Sequence, residues 1–323
     1  MTTDLLTQIR AAEDRIRPWV LETPLIESPI GAPAGVNLQL KLESLQHTGS
    51  FKARGAFSKL LALSPEARRG GVIAASTGNH GAAVAYAAAK LGAKARVVVS
   101  SDADSAKLAA IRGYGGEVEV HGHDSALAEA HARRIAVDQG LPYLSPYNDF
   151  DVVAGQGTIG VELQRQIQHA DAVFIALGGG GLLAGVAAWL KAAWPQVRII
   201  ACSPDNSAVM IESVRAGSIV ERESKPTLSD GTAGGVEPGA ITFDLVRRLA
   251  DDYATVTEDE IRHAMRLIHE THGLVVEGAA AVAVAGYLRQ ADHWRDRTVI
   301  AILCGGNVGP AVFQSVFSGS LTG

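Results

Sequence analysis

The chain has 323 residues, 47% hydrophobic and 20% charged, enough apolar material for about two globular domains with a sizeable core. Its formal net charge is -5 with no basic block, which argues against nucleic acid, whose phosphates need a lysine- and arginine-rich face. Two cysteines, Cys202 and Cys304, lie far apart in no metal-ligand spacing, which argues against a disulfide scaffold and fits a reducing, cytoplasmic compartment.

The first stretch, Met1 to Val20, interleaves charges with Leu5, Ile9, Ala12 and Ile16 at helical spacing. It has no apolar core followed by a cleavage site and reads as an amphipathic helix, not a signal peptide. That helix ends before Thr23-Pro24. A short alternating run, Leu38 to Glu43, leads through Gln46-His47-Thr48-Gly49 to a helical pattern from about Ser50 to Leu63. Lys52 falls in its first turn, where the positive end of the helix dipole disfavours a cation. An anion lodged at that helix start explains the placement, and so does a lysine consumed in a covalent bond. A solvated surface lysine is the plain alternative.

From Gly71 onward strands and alanine-rich helices alternate. Strands are expected at 72–75, Ala95 to Ser100 and Glu117 to His121, with helices at Gly81 to Leu91, Ser105 to Tyr114 and Ser125 to Gln139. Such repetition signals a parallel sheet covered by helices on both faces. The turn-rich run 141–149 marks a crossover into a second series. It comprises a helix at Thr158 to His169, a strand at Ala172 to Leu177, a helix at Leu182 to Trp194 and a strand at Val197 to Cys202. Residues Ser224 to Gly239 read as a long loop near a site. Thr257-Glu258-Asp259-Glu260 is a capping box opening a helix, Glu277 to Arg289 is a further helix, and Thr298 to Leu303 is a buried strand. Ala172 to Leu190 carries no charge and is long enough to span a bilayer. Four glycines break its middle, so strand, turn and buried helix explain it better, and no membrane partner is expected.

Three segments carry candidate chemistry. Gly178-Gly179-Gly180-Gly181 joins a strand to a helix, and its amides, backed by the helix N-terminus, suit a phosphate. A tight turn is the plain reading, and Gly179-x-Gly181-x-x-Ala184 with Asp205 also satisfies the relaxed dinucleotide fingerprint. Ser76-Thr77-Gly78-Asn79-His80-Gly81 sits at a similar junction and forms a second anion cradle, suited to a carboxylate, or simply caps a helix. Cys304-Gly305-Gly306-Asn307 ends a strand, where the thiol faces a ligand ring or is a small buried residue.

Taken in order, these segments resemble the fold-type II pyridoxal phosphate enzymes, specifically the serine/threonine dehydratase and serine racemase group. The resemblance runs along nearly the whole chain. It rests on Lys41-Leu42-Glu43, Ser50-Phe51-Lys52, Ser76 to Gly81 and Ala154-Gly155-Gln156-Gly157-Thr158. The tetraglycine, Thr255 to Glu260 and Cys304 to Asn307 complete it. It implies an α/β fold of the tryptophan synthase beta type, two open twisted, mostly parallel sheets with helices on both faces. It also implies a large cofactor-binding domain of residues 1–69 and 147–323, a small domain of residues 70–146, and a homodimer. By the same resemblance Lys52 forms the Schiff base with pyridoxal 5'-phosphate, and Gly178, Gly179, Gly180, Gly181 and Leu182 hold the phosphate. Phe51 lies by the cofactor, Asn79 bonds the ring 3'-oxygen, and Cys304 faces the ring nitrogen. Ser76, Thr77, Gly78, Asn79 and His80 bind the substrate.

A lysine must shed its proton to form an imine or act as a base, and burial and cationic surroundings lower that barrier. A thiol at the ring nitrogen leaves the nitrogen neutral, which suits β-elimination over a long-lived carbanion. The expected reaction is loss of water from a 3-hydroxy L-amino acid, with Lys52 taking the Cα proton, to give a 2-oxo acid and ammonia. Three departures from the group matter. Thr77 stands where serine racemase has its second catalytic serine, so racemisation is at most a side reaction. Ser203 and Val209 align with the racemase-type metal ligands, so no metal is expected there. The sequence stops at Gly323 without the appended regulatory region of biosynthetic threonine dehydratases, so isoleucine feedback is not expected. Tyr147 and Phe150 leave room for threonine, serine or a bulkier relative, such as phenylserine or a hydroxyectoine-derived substrate. The alternatives are a serine racemase or β-replacement enzyme, a nicotinamide-dependent oxidoreductase and a catalytically idle binder.

Overall fold

Short apolar runs, each followed by an alanine-rich helix, build two separate sheets in the computed structural model, which describes residues 2–31, 35–101, 103 and 105–318. Helix α1 (Thr2–Ile16) precedes β1 (Leu25–Ser28), β2 (Asn37–Lys41), α2 (Lys52–Ala62) and α3 (Pro65–Gly70). Then β3 (Val72–Ala75), α4 (Asn79–Lys90), β4 (Ala95–Val99), α5 (Ser105–Gly113), β5 (Glu117–Val120) and α6 (Ser125–Gln139) alternate. The chain continues through α7 (Phe150–Gln166), β6 (Ala172–Ala176), α8 (Gly181–Ala193), β7 (Arg198–Pro204), α9 (Val209–Ala216) and α10 (Ile241–Leu249). It ends with β8 (Asp252–Val256), α11 (Glu258–His272), α12 (Gly278–Gln290), β9 (Thr298–Ile302) and α13 (Pro310–Phe317).

The larger sheet has six strands in the order β1-β2-β9-β6-β7-β8, and only the β1–β2 pair is antiparallel. The smaller one is the parallel trio β3-β4-β5. Burial explains why the inner strands read as unbroken apolar runs: every residue of β6 is buried, as are Val299 to Ile302 of β9. The alanine- and glycine-rich helix α12 packs along β6, β7, β8 and β9, and small side chains let it lie close. The mostly parallel α/β architecture read from the sequence is the one observed. No helix among the described residues is long and apolar enough to cross a membrane. The uncharged stretch at 172–190 divides into β6, a glycine turn and α8.

One helix boundary differs by about two turns. Helix α7 starts at Phe150, eight residues before Thr158, with the Asp149 carboxylate accepting from the amides of Asp151 and Val152. The glycines of Ala154-Gly155-Gln156-Gly157-Thr158 lie inside this helix and serve a helix crossing. An ideal Cβ on Gly155 would stand 2.6 Å from the Arg54 carbonyl in α2, and one on Gly185 of α8 would stand 2.3 Å from the Val153 carbonyl. Here close backbone approach outweighs the helix cost of glycine. The capping box at Thr257 and Glu260 is present in both directions.

Helix α2 is anchored by a buried charge cluster. The Arg54 guanidinium donates to both oxygens of Glu43, at 2.8 Å each, and to Glu162 at 2.7 and 2.9 Å. Lys41 Nζ donates to Glu162 at 2.6 Å and to the Thr23 carbonyl at 2.7 Å. All four charged side chains are fully enclosed. Burial lowers the pKa of Lys41 despite the attraction of Glu162 and Glu43, while Arg54, opposing the cost of burial, holds Glu43 below the usual carboxylate range. This cluster fixes the start of α2, two residues from Lys52.

Candidate active site

In parallel sheets the carboxyl ends of strands, together with the helix starts that follow them, form the natural ligand crevice. Here three such ends meet. The segment after β3 enters α4 at Asn79, the segment after β6 enters α8 at Gly181, and β9 runs into Leu303 to Asn307. Lys52, the first residue of α2, is brought to the same place. The Phe51 amide donates to the Cys304 carbonyl at 3.0 Å, and Ser50 bridges Gly305.

The Lys52 side chain is half-buried, with Nζ 2.9 Å from the Pro146 carbonyl and 5.0 Å from the Phe51 ring centre. Burial lowers its pKa to about 8, against the opposing pull of the Glu277 carboxylate. The amine is therefore far more readily neutral than a solvated lysine. Beside it, the Cys304 thiol is buried and neutral, because burial and the nearby Glu277 push its pKa well above the ordinary value.

The tetraglycine loop is shaped from outside. Gly180 adopts φ +87°, a left-handed conformation favouring glycine. An ideal Cβ on Gly178 would lie 2.8 Å from Thr232 Cα, and one on Gly179 would lie 2.3 Å from the Tyr147 ring. With the outer side thus covered, regular backbone pairing stops at Leu177, whose amide donates to Cys202, and resumes at Ala184, whose amide donates to Gly180. The amides of Gly178 to Leu183 between them have no backbone acceptor among the described residues. Six orphan N–H groups at the start of a helix fit a phosphate.

The second cradle is the turn into α4. Ser76, Thr77, Gly78 and Asn79 are half-buried, and Ser76 Oγ accepts from the Gly78 amide at 3.1 Å. Around Gly78 there is open space, with no atom within 4 Å of an ideal Cβ. The His80 ring is buried and its Nε2 lies 2.8 Å from the Leu144 carbonyl. Burial and the charge of Lys52 drive its pKa down to about 3, so it is neutral and donates that bond. What His80 offers the cradle is its backbone amide.

Asn79 donates through Nδ2 to both oxygens of Glu277, at 2.9 Å each, and its Oδ1 accepts from Asn307 Nδ2 at 2.7 Å. In the sequence Glu277 reads only as the residue opening a helix. A charge inside the apolar run Leu274-Val275-Val276-Glu277-Gly278-Ala279 was the available signal. Tyr147, whose ring lies on the tetraglycine, accepts from the Glu237 amide at 3.0 Å, while Phe150 begins α7 and is exposed. Ser203 Oγ donates to the Leu177 carbonyl at 2.7 Å, and Val209 is buried at the start of α9.

A lysine amine of lowered pKa, an orphan-amide phosphate cradle and an open carboxylate cradle converge at one crevice. The family described as "Pyridoxal-phosphate dependent enzyme" matches residues 16–305. The chain belongs to that family. Catabolic L-threonine dehydratase TdcB of Staphylococcus aureus is 38% identical over 308 residues, covering 94% of this chain and 89% of that one. Among solved structures, the processed form of threonine deaminase isoform 2 from Solanum lycopersicum superposes with a TM-score of 0.92 at 34% identity, covering 98% and 92% of the two chains. Maize serine racemase superposes with a TM-score of 0.89 at 33% identity, covering 96% of each. Pyridoxal phosphate is thus the cofactor of this family member, and the dinucleotide reading of Gly179 to Ala184 falls away. The site residues fit that cofactor through the orphan amides of the glycine loop and the desolvated amine.

Proposed function

We propose that the enzyme is an ammonia-lyase that eliminates water from a 3-hydroxy L-amino acid, threonine or serine in the first instance, to give a 2-oxo acid and ammonia. The observation that carries the reading is Lys52 with its pKa near 8, set beside a neutral thiol and between two anion cradles. The similarity to a threonine dehydratase at 38% identity supports the substrate class. When bound, pyridoxal phosphate supplies an aldehyde that condenses with amines and an electron-withdrawing ring that acidifies the substrate Cα–H bond.

The remaining roles belong to this chain. In this reading the amides of Gly178 to Leu182 hold the phosphate, and Asn79 bonds the ring oxygen. The hydroxyls and amides of Ser76 to His80 hold the substrate carboxylate, which fixes which bond at Cα faces Lys52. The Lys52 amine, neutral at modestly alkaline pH, takes the Cα proton. Cys304 sets a neutral group at the ring nitrogen, which favours prompt departure of the hydroxyl. Thr77 is a poor second acid or base on the opposite face, so racemisation is minor. The two-domain division at residues 70 and 146, a homodimeric assembly and a cytoplasmic location complete the proposal. Two buried free cysteines accord with the last of these.

A panel of 3-hydroxy amino acids, assayed for 2-oxo acid, tests the reading. Purified protein is expected to be yellow, with a visible band that borohydride abolishes while tagging Lys52. Colourless protein that takes up no cofactor, or coloured protein that releases no 2-oxo acid from any member of the panel, overturns it. Chiral analysis of L-serine after incubation is expected to show little D-serine.

A further inference from the structure

Glu277 has no part in the roles described so far, yet few side chains are more firmly built into the crevice. It is 5% exposed and precedes α12, and its amide donates to the Gly305 carbonyl at 3.2 Å. The room its carboxylate occupies exists because residue 305 is glycine, since an ideal Cβ there would stand 2.5 Å from Glu277 Oε1. Both oxygens lie 2.9 Å from Asn79 Nδ2, the geometry of one N–H shared between two acceptors. The other end of the Asn79 amide is held as firmly, because Asn307 Nδ2 donates to Asn79 Oδ1 and to the Thr48 carbonyl, each at 2.7 Å. The amide therefore has one orientation. Oxygen is turned to Asn307, nitrogen to Glu277, and one N–H remains for a ligand.

We propose that Glu277 is a positioning residue whose carboxylate locks the Asn79 amide so that its remaining N–H meets the oxygen substituent of the cofactor ring. The proposal rests on the pyridoxal phosphate reading of the site. A carboxylate is the group the task needs. It only accepts, so it cannot compete for Asn79 Oδ1, whereas a glutamine offers a donor that admits the flipped amide. The lock is also sensitive to protonation. Burial raises the carboxyl to about 7, the bond from Asn79 opposes the rise, Asp230 adds to it and Lys107 opposes it. Lys52 and Cys304 are the other titratable groups that interact with it electrostatically. A protonated carboxyl gives up one acceptor, so the lock loosens in acid.

The test uses the full chain loaded with pyridoxal phosphate, in wild-type, E277Q, N79A and double-variant forms. Cofactor dissociation is followed by fluorescence, and the visible band is titrated from pH 5 to 9. Loss of one charge-assisted bond is expected to weaken cofactor retention about 10-fold in E277Q and to shift the visible band. The double variant is expected to be no weaker than N79A, since the two residues act through one contact. The aspartate variant E277D is expected to recover the pH-dependence of the band in part. Unchanged retention and an unchanged band in E277Q overturn the proposal, as do losses that multiply in the double variant. Should E277Q fail to fold, N307A takes its place, because Asn307 holds the opposite end of the amide, and unchanged retention there overturns the proposal equally. Wild-type protein that takes up no cofactor overturns the cofactor reading itself.

Discussion

Replacing Glu162 by glutamine tests whether the charge cluster under α2 holds the Lys52 segment. Glu162 accepts from Lys41 at 2.6 Å, from Arg54 at 2.7 and 2.9 Å, and from the Thr23 amide at 3.2 Å. Two cations and two carboxylates are enclosed there, so E162Q leaves one positive charge uncompensated and turns an NH2 group toward donors. Breaking a buried pair in this way costs about 3–5 kcal/mol. Unfolding entropy near 2.1 cal/mol/K per residue amounts to about 0.7 kcal/mol/K for a chain of this length, so the melting temperature should fall by about 4–7 °C. The deficit should also depend on pH. Burial already holds Lys41 below its ordinary pKa, so the unfolded chain binds that proton more tightly and stability rises with pH above the folded value. Without Glu162 the folded value drops further and Lys41 sheds its proton at lower pH. The melting deficit measured at pH 9 should therefore be smaller than at pH 6. A fall under about 1 °C, or a deficit that does not change with pH, refutes the reasoning.

Three further outcomes are expected. For Glu277 the folded pKa of about 7 lies above the ordinary carboxyl value of 4.5, so its stabilising contribution is full below pH 4.5 and is lost as pH rises through 7. The loss is on the order of 3 kcal/mol at about 1.4 kcal/mol per unit, and melts of cofactor-free wild type against E277Q should diverge over that window. Cofactor uptake by the apoprotein should quicken as pH rises through about 8 and then level off, because Lys52 attacks only as the neutral amine, and stopped-flow absorbance reads that limb directly. In G185A the new methyl would sit 2.3 Å from the Val153 carbonyl and 2.6 Å from the Gly157 amide, both backbone. The crossing of α7 and α8 must then open, at a cost of about 1–3 kcal/mol in thermal stability together with weaker cofactor retention.

What the sequence makes legible is local. The glycine turns at 178–181 and 76–81 announce themselves because a strand, a break and a helix follow within a few residues. The position of Lys52 in a first helical turn shows for the same reason, and the alternation of strands and helices from Val72 to Gln139 reproduces β3 to α6 closely. Where sequence reading falls short, the determining contact lies far along the chain. The first two turns of α7 go unread because the glycines at 155 and 157 face α2 and α8, 100 and 30 residues away, as the Gly155–Arg54 and Gly185–Val153 approaches show. The strands β1 and β8 and the helices α3, α9, α10 and α13 are short, none longer than nine residues, too few for a period to show.

The same distance hides the buried charges. Arg54 and Glu162 are 108 positions apart, and Asn79 and Glu277 are 198 apart. Each looks like an ordinary surface residue until its partner is placed. A buried charge without a partner is so costly that its presence in an apolar run is itself evidence of one. Glu277, between Val276 and Gly278, meets that condition, as do Lys41 and Glu43, which flank Leu42 at the end of β2. The partner's identity still has to come from the fold. It is the meeting of strand ends from both sheets that sets an isolated carboxylate against an asparagine amide and leaves that amide one free N–H in the crevice.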